Sequence, residues 1–219
     1  MNKEIKIIEC PRDAMQGIKT FIPTKNKAAY IQALLRVGFD TIDFGSFVSP
    51  KAIPQMADTK EVIKHLDVGS SKSKLLAIIA NERGAEDAVL FDEISYLGFP
   101  FSVSETFQQR NTNSSISESF KRVEAIQELC IKNKKQLVLY LSMGFGNPYG
   151  DEWNEEIVFR YANDLVELGI ETISLADTVG LATAEQVQRI TGYLVNQLPT
   201  TEIGVHLHST SFTWKEKLE

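Results

Sequence analysis

Seven apolar runs of the kind found in β-strands alternate with helix-length segments along the chain, and this alternation is the strongest constraint on its fold. The first run is Ile5 to Ile8, and later runs include Leu75 to Ala80 and Gln136 to Ser142. A helical segment follows each of the first six runs and no hairpin turns join them, which is typical of parallel strands with right-handed crossovers. The pattern therefore predicts an α/β fold of repeated βα units, with residues 1–219 as a single domain.

Helix start and stop signals mark the boundaries of these units. Thr24 to Arg36 has apolar residues at helical spacing and is followed by Gly38, a common helix stop. The stretch from Asn111 to Ser115 is predicted to be a polar loop. Capping boxes are predicted at three helix starts, formed by Asp58 with Glu61, Ser115 with Glu118, and Thr183 with Gln186.

A doubly wound sheet and a (β/α)8 barrel both fit this alternation, and the polar residues distinguish them. No glycine-rich dinucleotide fingerprint follows the first strand. Polar side chains follow many of the predicted strands, and the C-terminal ends of so many strands converge more easily in a barrel than across an open sheet. These residues are Arg12, Asp13, Gln16, Asp43, Ser46, Ser142, Asp177, Thr178, His206 and His208. The sequence thus favours a (β/α)8 TIM barrel, with about seven of the eight units in residues 1–219.

Charge and composition argue against several classes of partner. The formal net charge of −6 is unfavourable for binding nucleic acid or an anionic membrane surface. The sequence has no apolar stretch of membrane-spanning length and no pattern of a secretion signal, so we expect a soluble protein of the cytoplasm or of an organelle matrix, with the cytoplasmic assignment preferred. Cys10 and Cys130 lack the paired spacing of metal ligands and are predicted to remain free thiols.

Two of the three histidines form the motif His206-Leu207-His208. Residues i and i+2 of a strand point to the same side, so both imidazoles can face one site. With the carboxylate of Asp13 they would form a mixed nitrogen and oxygen ligand set that suits Mg²⁺ or Mn²⁺. The same spacing also fits a hydrogen-bonded histidine pair without metal, and the motif alone leaves both interpretations open. The third histidine, His65, is predicted to be a surface residue.

Four segments resemble the 3-hydroxy-3-methylglutaryl-CoA lyase family, and they occur in order along nearly the whole chain. They are Pro11 to Gln16, Ser46 to Asp58, Ser174 to Gly180, and His206 to Thr210. The Arg-Asp and His-x-His motifs are shared with related metal-dependent carboligases, such as isopropylmalate and homocitrate synthases. The segment S-F-V-S-P-K-A-I-P-Q-M, by contrast, resembles the lyase branch.

The resemblance implies cleavage of 3-hydroxy-3-methylglutaryl-CoA to acetoacetate and acetyl-CoA, with Mg²⁺ or Mn²⁺ and no organic cofactor. It implies that Asp13, His206 and His208 hold the metal and that Arg12 stabilises the developing enolate. Asp43 stands where the family has a glutamate and is kept as a catalytic candidate, as is His206. Substrate contacts are expected from polar residues at predicted strand ends, namely Gln16, Ser46, Tyr140, Ser142, Asp177 and Thr178. Polar side chains at such positions also commonly cap or hydrogen-bond the backbone.

Several positions depart from the family pattern. Ala14-Met15 replaces Gly-Leu, and Ser209 replaces an aspartate. The family continues with a reactive cysteine on a glycine-rich loop and with a metal-ligating asparagine, and neither Cys10 nor Cys130 lies in such a loop. We therefore expect weak activity from residues 1–219, with self-association into a homo-oligomer through unpaired edge strands. The alternatives are a carboligase that condenses acetyl-CoA with a 2-oxo acid, and a non-catalytic barrel fragment.

Overall fold

Seven strands form one sheet in the computed structural model, which describes residues 5–218. They are β1 (Ile8–Glu9), β2 (Thr41–Ser46), β3 (Lys74–Ile78), β4 (Ile94–Ser102), β5 (Gln136–Ser142), β6 (Thr172–Asp177) and β7 (Glu202–Leu207). Their order in the sheet follows their order in the chain, and the neighbours β1 to β4 and β5 to β7 are parallel. A doubly wound sheet would reverse the strand order at a switch point, so the sequential order confirms the TIM-barrel type of α/β fold.

The helices in the described part of the chain are α1 (Pro11–Gln16), α2 (Thr24–Val37), α3 (Thr59–Ile63), α4 (Glu82–Ala88), α5 (Glu105–Thr112), α6 (Ile116–Lys132), α7 (Glu155–Glu167), α8 (Ala184–Gln197) and α9 (Trp214–Leu218). Helices α1 to α8 occupy the segments between the strands, as the alternation predicts, and α9 follows β7. Within residues 5–218, none of them has both the length and the apolar character that a membrane span requires.

The chain divides into two compact units. The first comprises the described residues up to Gly98 together with Leu129–Gln136, and the second comprises Phe99–Glu128 together with the described residues from Leu137 onward. Each unit has its own apolar core. Buried side chains of β2 and β3 fill the first, including Ile42 and Leu75, whereas those of β6 fill part of the second, including Ile173 and Leu175.

Local sequence signals account for many helix boundaries. Gly38 ends α2 with φ +85°, a left-handed conformation that glycine adopts without steric cost. Thr183 and Gln186 form the predicted capping box of α8, in which each side chain bonds the backbone N–H of the other. Ser115 and Glu118 exchange the equivalent bonds before α6. Two of the three predicted capping boxes are therefore confirmed.

The predicted capping box of Asp58 and Glu61 is wrong. The helix α3 begins after Asp58, but the Asp58 side chain makes no capping hydrogen bond. Its carboxylate instead lies 2.6 Å from the buried ammonium of Lys27 and accepts a hydrogen bond of 2.8 Å from the Thr24 hydroxyl. A buried ammonium requires a counter-charge, and Asp58 supplies it.

Two further predictions need correction. The apolar run from Ile5 was expected to be a buried strand, yet β1 contains only Ile8–Glu9, and the Ile5 side chain is 87% exposed. The polar loop predicted around Asn111 begins only at Asn113, because α5 continues to Thr112. Few apolar residues lie in α5, which explains why its helical periodicity is weak.

Candidate active site

The first group of predicted site residues lies on α1 and β2, in the first unit. The chain enters α1 at Pro11, whose fixed φ suits the first turn of a helix. The turn places Arg12, Asp13 and Gln16 on one short helix directly after β1. The Gln16 amide donates to Asp13 Oδ1 at 2.7 Å, and the Asp13 side chain is 26% exposed.

The Arg12 guanidinium is buried against the carboxylate of Asp43, which projects from β2. Arg12 Nε lies 3.2 and 3.1 Å from the two Asp43 oxygens, and Nη2 donates to Asp43 Oδ2 at 2.5 Å. Nη1 donates to Asp13 Oδ1 and to Gln16 Oε1, both at 3.0 Å. Arg12 is 8% exposed and Asp43 is 0% exposed. The guanidinium therefore carries its charge in one fixed orientation.

Both cysteines lack the character of a nucleophile. Burial, together with the negative charge of Asp43, raises the pKa of the Cys10 thiol to about 12. Burial likewise raises the pKa of Cys130 to about 12. A thiol with such a pKa stays protonated at neutral pH, and the thiolate is the reactive species. Both residues are free thiols, as predicted from their spacing.

The second group lies at the ends of β6 and β7, in the second unit. His206 is on β7, His208 follows the strand, and their Nε2 atoms are 3.3 Å apart. His208 Nδ1 lies 2.9 Å from the carbonyl oxygen of Thr178. Because a carbonyl only accepts hydrogen bonds, Nδ1 carries a proton, and in the neutral ring His208 Nε2 presents a lone pair. The two imidazoles thus face each other through Nε2, an arrangement that a shared cation can use.

Asp177, which was predicted to contact substrate, is paired within the protein at the end of β6, where a buried carboxylate is costly without a partner. Its Oδ1 accepts from the backbone N–H of Ala182 at 3.1 Å, and its Oδ2 lies 2.6 Å from Lys217 Nζ. Lys217 also donates to the carbonyl oxygen of His208 at 2.8 Å. Lys217 was not predicted from the sequence, since α9 is short and no motif links residues 40 positions apart.

The remaining predicted substrate contacts have different surroundings. The Tyr140 ring stands edge-on to His206, with ring centroids 5.9 Å apart. The hydroxyl of Thr178 accepts from the Met143 backbone N–H at 3.0 Å, and the hydroxyl of Ser46 accepts from Val48 N–H at 3.1 Å. Ser142 is buried at the end of β5. Tyr140 therefore lies against His206. The bond of Thr178 joins the end of β6 to the turn after β5, and the bond of Ser46 shapes the turn after β2.

The third histidine is separate from both groups, as predicted. His65 is 47% exposed, and its Nε2 lies 3.6 Å from Glu61 Oε1 of the preceding helical turn. Such a surface pair contributes little to stability.

Comparison with known proteins identifies relatives along most of the chain. Hydroxymethylglutaryl-CoA lyase of mouse mitochondria is 34% identical over 211 residues, which cover 95% of this chain and 64% of the mouse protein. The crystal structure of HMG-CoA lyase from Bacillus subtilis superposes with a TM-score of 0.91 at 34% identity, over 99% of this chain and 72% of that one. The HMG-CoA lyase of Acinetobacter baumannii in complex with coenzyme A and 3-methylmalate gives a TM-score of 0.89 at 31% identity, over 97% and 69%.

The chain therefore spans a little under two thirds of the length of the mouse relative. The model of the HMGL-like family matches residues 4–211, nearly all of the sequence. This match includes every residue of the two site groups except Lys217. On the evidence of the family model and of these relatives, the chain belongs to the HMGL-like family.

Proposed function

We propose that the chain is a divalent-metal-dependent lyase that cleaves 3-hydroxy-3-methylglutaryl-CoA to acetoacetate and acetyl-CoA. The observation that carries the proposal is the pair His206 and His208, with facing Nε2 atoms 3.3 Å apart, in a chain whose relatives are HMG-CoA lyases. The Acinetobacter relative, which is in complex with coenzyme A, supports an acyl-CoA substrate.

Asp13, His206 and His208 are the proposed ligands of the cation. The proposed set consists of one carboxylate and two imidazoles. Mixed oxygen and nitrogen donors suit Mg²⁺ or Mn²⁺. The proton on His208 Nδ1 leaves its Nε2 available, and this is the tautomer that ligation through Nε2 requires. When bound, the cation would orient the substrate hydroxyl and promote loss of its proton.

Arg12 is the proposed stabiliser of the negative charge that develops on the thioester oxygen. Cleavage expels the enolate of a thioester, and a fixed cation at the enolate oxygen lowers the barrier because it needs no reorganisation during the reaction. Asp43 keeps the guanidinium in place through three contacts of 3.2 Å or less. The substrate hydroxyl also needs a proton acceptor, and Asp13 and His206 are the candidates for that role.

A product assay tests the proposed reaction. The chain, supplied with Mn²⁺ and 3-hydroxy-3-methylglutaryl-CoA, should release acetoacetate and acetyl-CoA in equal amounts, and a chelator should abolish the reaction. The double variant His206→Ala with His208→Ala should lose turnover and Mn²⁺ binding together. His65→Ala is the matched control, because His65 is an exposed histidine outside both site groups.

Other outcomes would redirect or reject the proposal. Thiol release from acetyl-CoA with a 2-oxo acid, without acetoacetate from the lyase substrate, would identify a carboligase. The absence of either reaction would indicate a non-catalytic member of the family. Unchanged Mn²⁺ affinity in the double histidine variant would show that these imidazoles are not the ligands.

A further inference from the structure

Lys217, on α9, has a largely buried side chain in a segment that is otherwise exposed. Every other residue from His208 to Leu218 is exposed, including the apolar Phe212 at 88% and Leu218 at 77%. The side chain of Lys217 is only 6% exposed. Because an ammonium is costly to bury without partners, this distribution indicates that the polar contacts of Lys217 help to hold α9 in place.

The partners of Lys217 lie at the ends of two neighbouring strands. Its Nζ is 2.6 Å from Asp177 Oδ2, on the last residue of β6, and 2.8 Å from the carbonyl oxygen of His208, which follows β7. In the parallel register of these strands, Asp177 is opposite Leu207. One ammonium therefore links the two chain segments immediately beside the histidine pair.

A second bond links the same two segments through the imidazole itself. His208 Nδ1 lies 2.9 Å from the carbonyl oxygen of Thr178, the residue after Asp177. This bond fixes the ring orientation and the tautomer only while the backbones of residues 177–178 and residue 208 keep their separation. Lys217 holds that separation, since it contacts Asp177 on one side and the backbone of His208 on the other.

We infer that Lys217 is a positioning residue that holds His208 in the orientation and tautomer required for binding a divalent cation through Nε2. This inference rests on the proposed metal site. Lys217 also occupies the carboxylate of Asp177, whose other oxygen accepts from Ala182 N–H. Partners that orient a ligating histidine commonly change metal affinity by about 10- to 100-fold.

The test uses the full chain with Lys217→Met, which removes the ammonium and keeps the aliphatic stem. Lys217→Arg is the conservative variant, because a guanidinium can donate to both Asp177 and His208. Lys121→Met, an exposed lysine of α6, controls for the loss of one positive charge. Two properties are measured: the His208 tautomer in the metal-free chain, from long-range proton–nitrogen NMR correlations, and the dissociation constant for Mn²⁺.

We expect Lys217→Met to give a mixture of His208 tautomers and to weaken Mn²⁺ binding about tenfold or more. Lys217→Arg should restore most of both properties, and Lys121→Met should leave both unchanged. If Lys217→Met retains the Nδ1-protonated tautomer and binds Mn²⁺ within twofold of the wild type, the inference is wrong.

Two further measurements keep the result interpretable. If circular dichroism shows that Lys217→Met does not fold, the double variant Asp177→Asn with Lys217→Met is measured instead, since it leaves no unpaired charge. A wild-type tautomer and affinity in that variant would also overturn the inference. If the wild-type chain binds no Mn²⁺, the proposed metal site is wrong, and the tautomer in the metal-free chain alone decides the role of Lys217.

Discussion

Arg12 combines a proposed catalytic charge with a structural ion pair. Its guanidinium contacts the Asp43 carboxylate, which is 0% exposed and needs a counter-charge. Breaking a buried pair by removing one partner costs about 3–5 kcal/mol, because the remaining charge stays buried. A substitution of Arg12 should therefore affect stability as well as catalysis, and the two effects must be measured separately.

We expect Arg12→Gln to lower kcat by about 10²-fold with little change in KM, as for loss of a group that acts only in the transition state. The melting temperature should also fall, by on the order of 10 °C, because Asp43 loses its partner. Steady-state kinetics well below the melting temperature, together with calorimetry, check both effects.

The double variant Arg12→Gln with Asp43→Asn separates the contributions. It removes both charges of the pair, so it should recover much of the melting temperature without recovering kcat. Recovery of kcat in the double variant would show that Arg12 acts on the reaction only through stability. A rise confined to KM would instead mean that Arg12 binds the ground-state substrate.

At the scale of elements, Asp151 ties the loop after β5 to the start of α5. Its Oδ2 accepts from Thr106 N–H at 2.9 Å and from the Ser104 hydroxyl, and its Oδ1 accepts from the Thr106 hydroxyl at 2.7 Å. The Ser104 hydroxyl in turn caps α5 by accepting from Phe107 N–H at 3.1 Å. The hydrogen bonds from Ser104 and Thr106 hold the pKa of Asp151 below its usual value.

This depressed pKa predicts a pH dependence of stability. A carboxyl group whose pKa is lower in the folded state than in the unfolded state stabilises the protein. This stabilisation is fully present at pH values above the unfolded-state pKa of about 3.9, and it is lost as the pH falls through the folded-state pKa. Asp151→Asn should lower the melting temperature at pH 7 by a few degrees, about the effect of one hydrogen bond. The difference from wild type should shrink below about pH 4. Thermal melts between pH 3 and pH 7 test this, and a constant difference would contradict it.

The elements also show which parts of the fold the sequence could predict. The capping box of Thr183 and Gln186 was predictable because both partners lie within one helical turn. The role of Asp58 was not predictable from local spacing, because its partner Lys27 is 31 positions away in the sequence. Lys27 binds the carboxylate that was predicted to cap α3. The helix α5 was not predicted, because most of its residues are polar and the residue that it buries, Gln108, is polar as well.

The same distinction applies to the candidate site. The His206 and His208 pair was predictable because a two-residue spacing on a strand fixes the side on which both side chains lie. The contacts that orient His208 come from Thr178 and Lys217, and neither follows from local spacing. Short-range patterns therefore predicted the candidate ligands, whereas the groups that hold them depend on how β6, β7 and α9 pack.

At the scale of the whole molecule, cation binding should raise the stability of the folded chain. A ligand that binds only the folded state stabilises it by about 2.7 kcal/mol at a free concentration of 100 times its dissociation constant. For a chain of this size, 1 kcal/mol corresponds to about 2–4 °C in melting temperature. Saturating Mn²⁺ should therefore raise the melting temperature by on the order of 5–10 °C, and a chelator should reverse the rise.

The variants of the site determine whether this stabilisation comes from the proposed ligands. The double variant His206→Ala with His208→Ala should show little or no rise with Mn²⁺, whereas His65→Ala should match the wild type. Calorimetry across a series of Mn²⁺ concentrations gives the comparison, because specific binding makes the melting temperature rise with the logarithm of free metal once the site is saturated. Equal rises in the wild type and the double histidine variant would place the stabilising cation elsewhere on the chain, since both proposed imidazole ligands would then be dispensable.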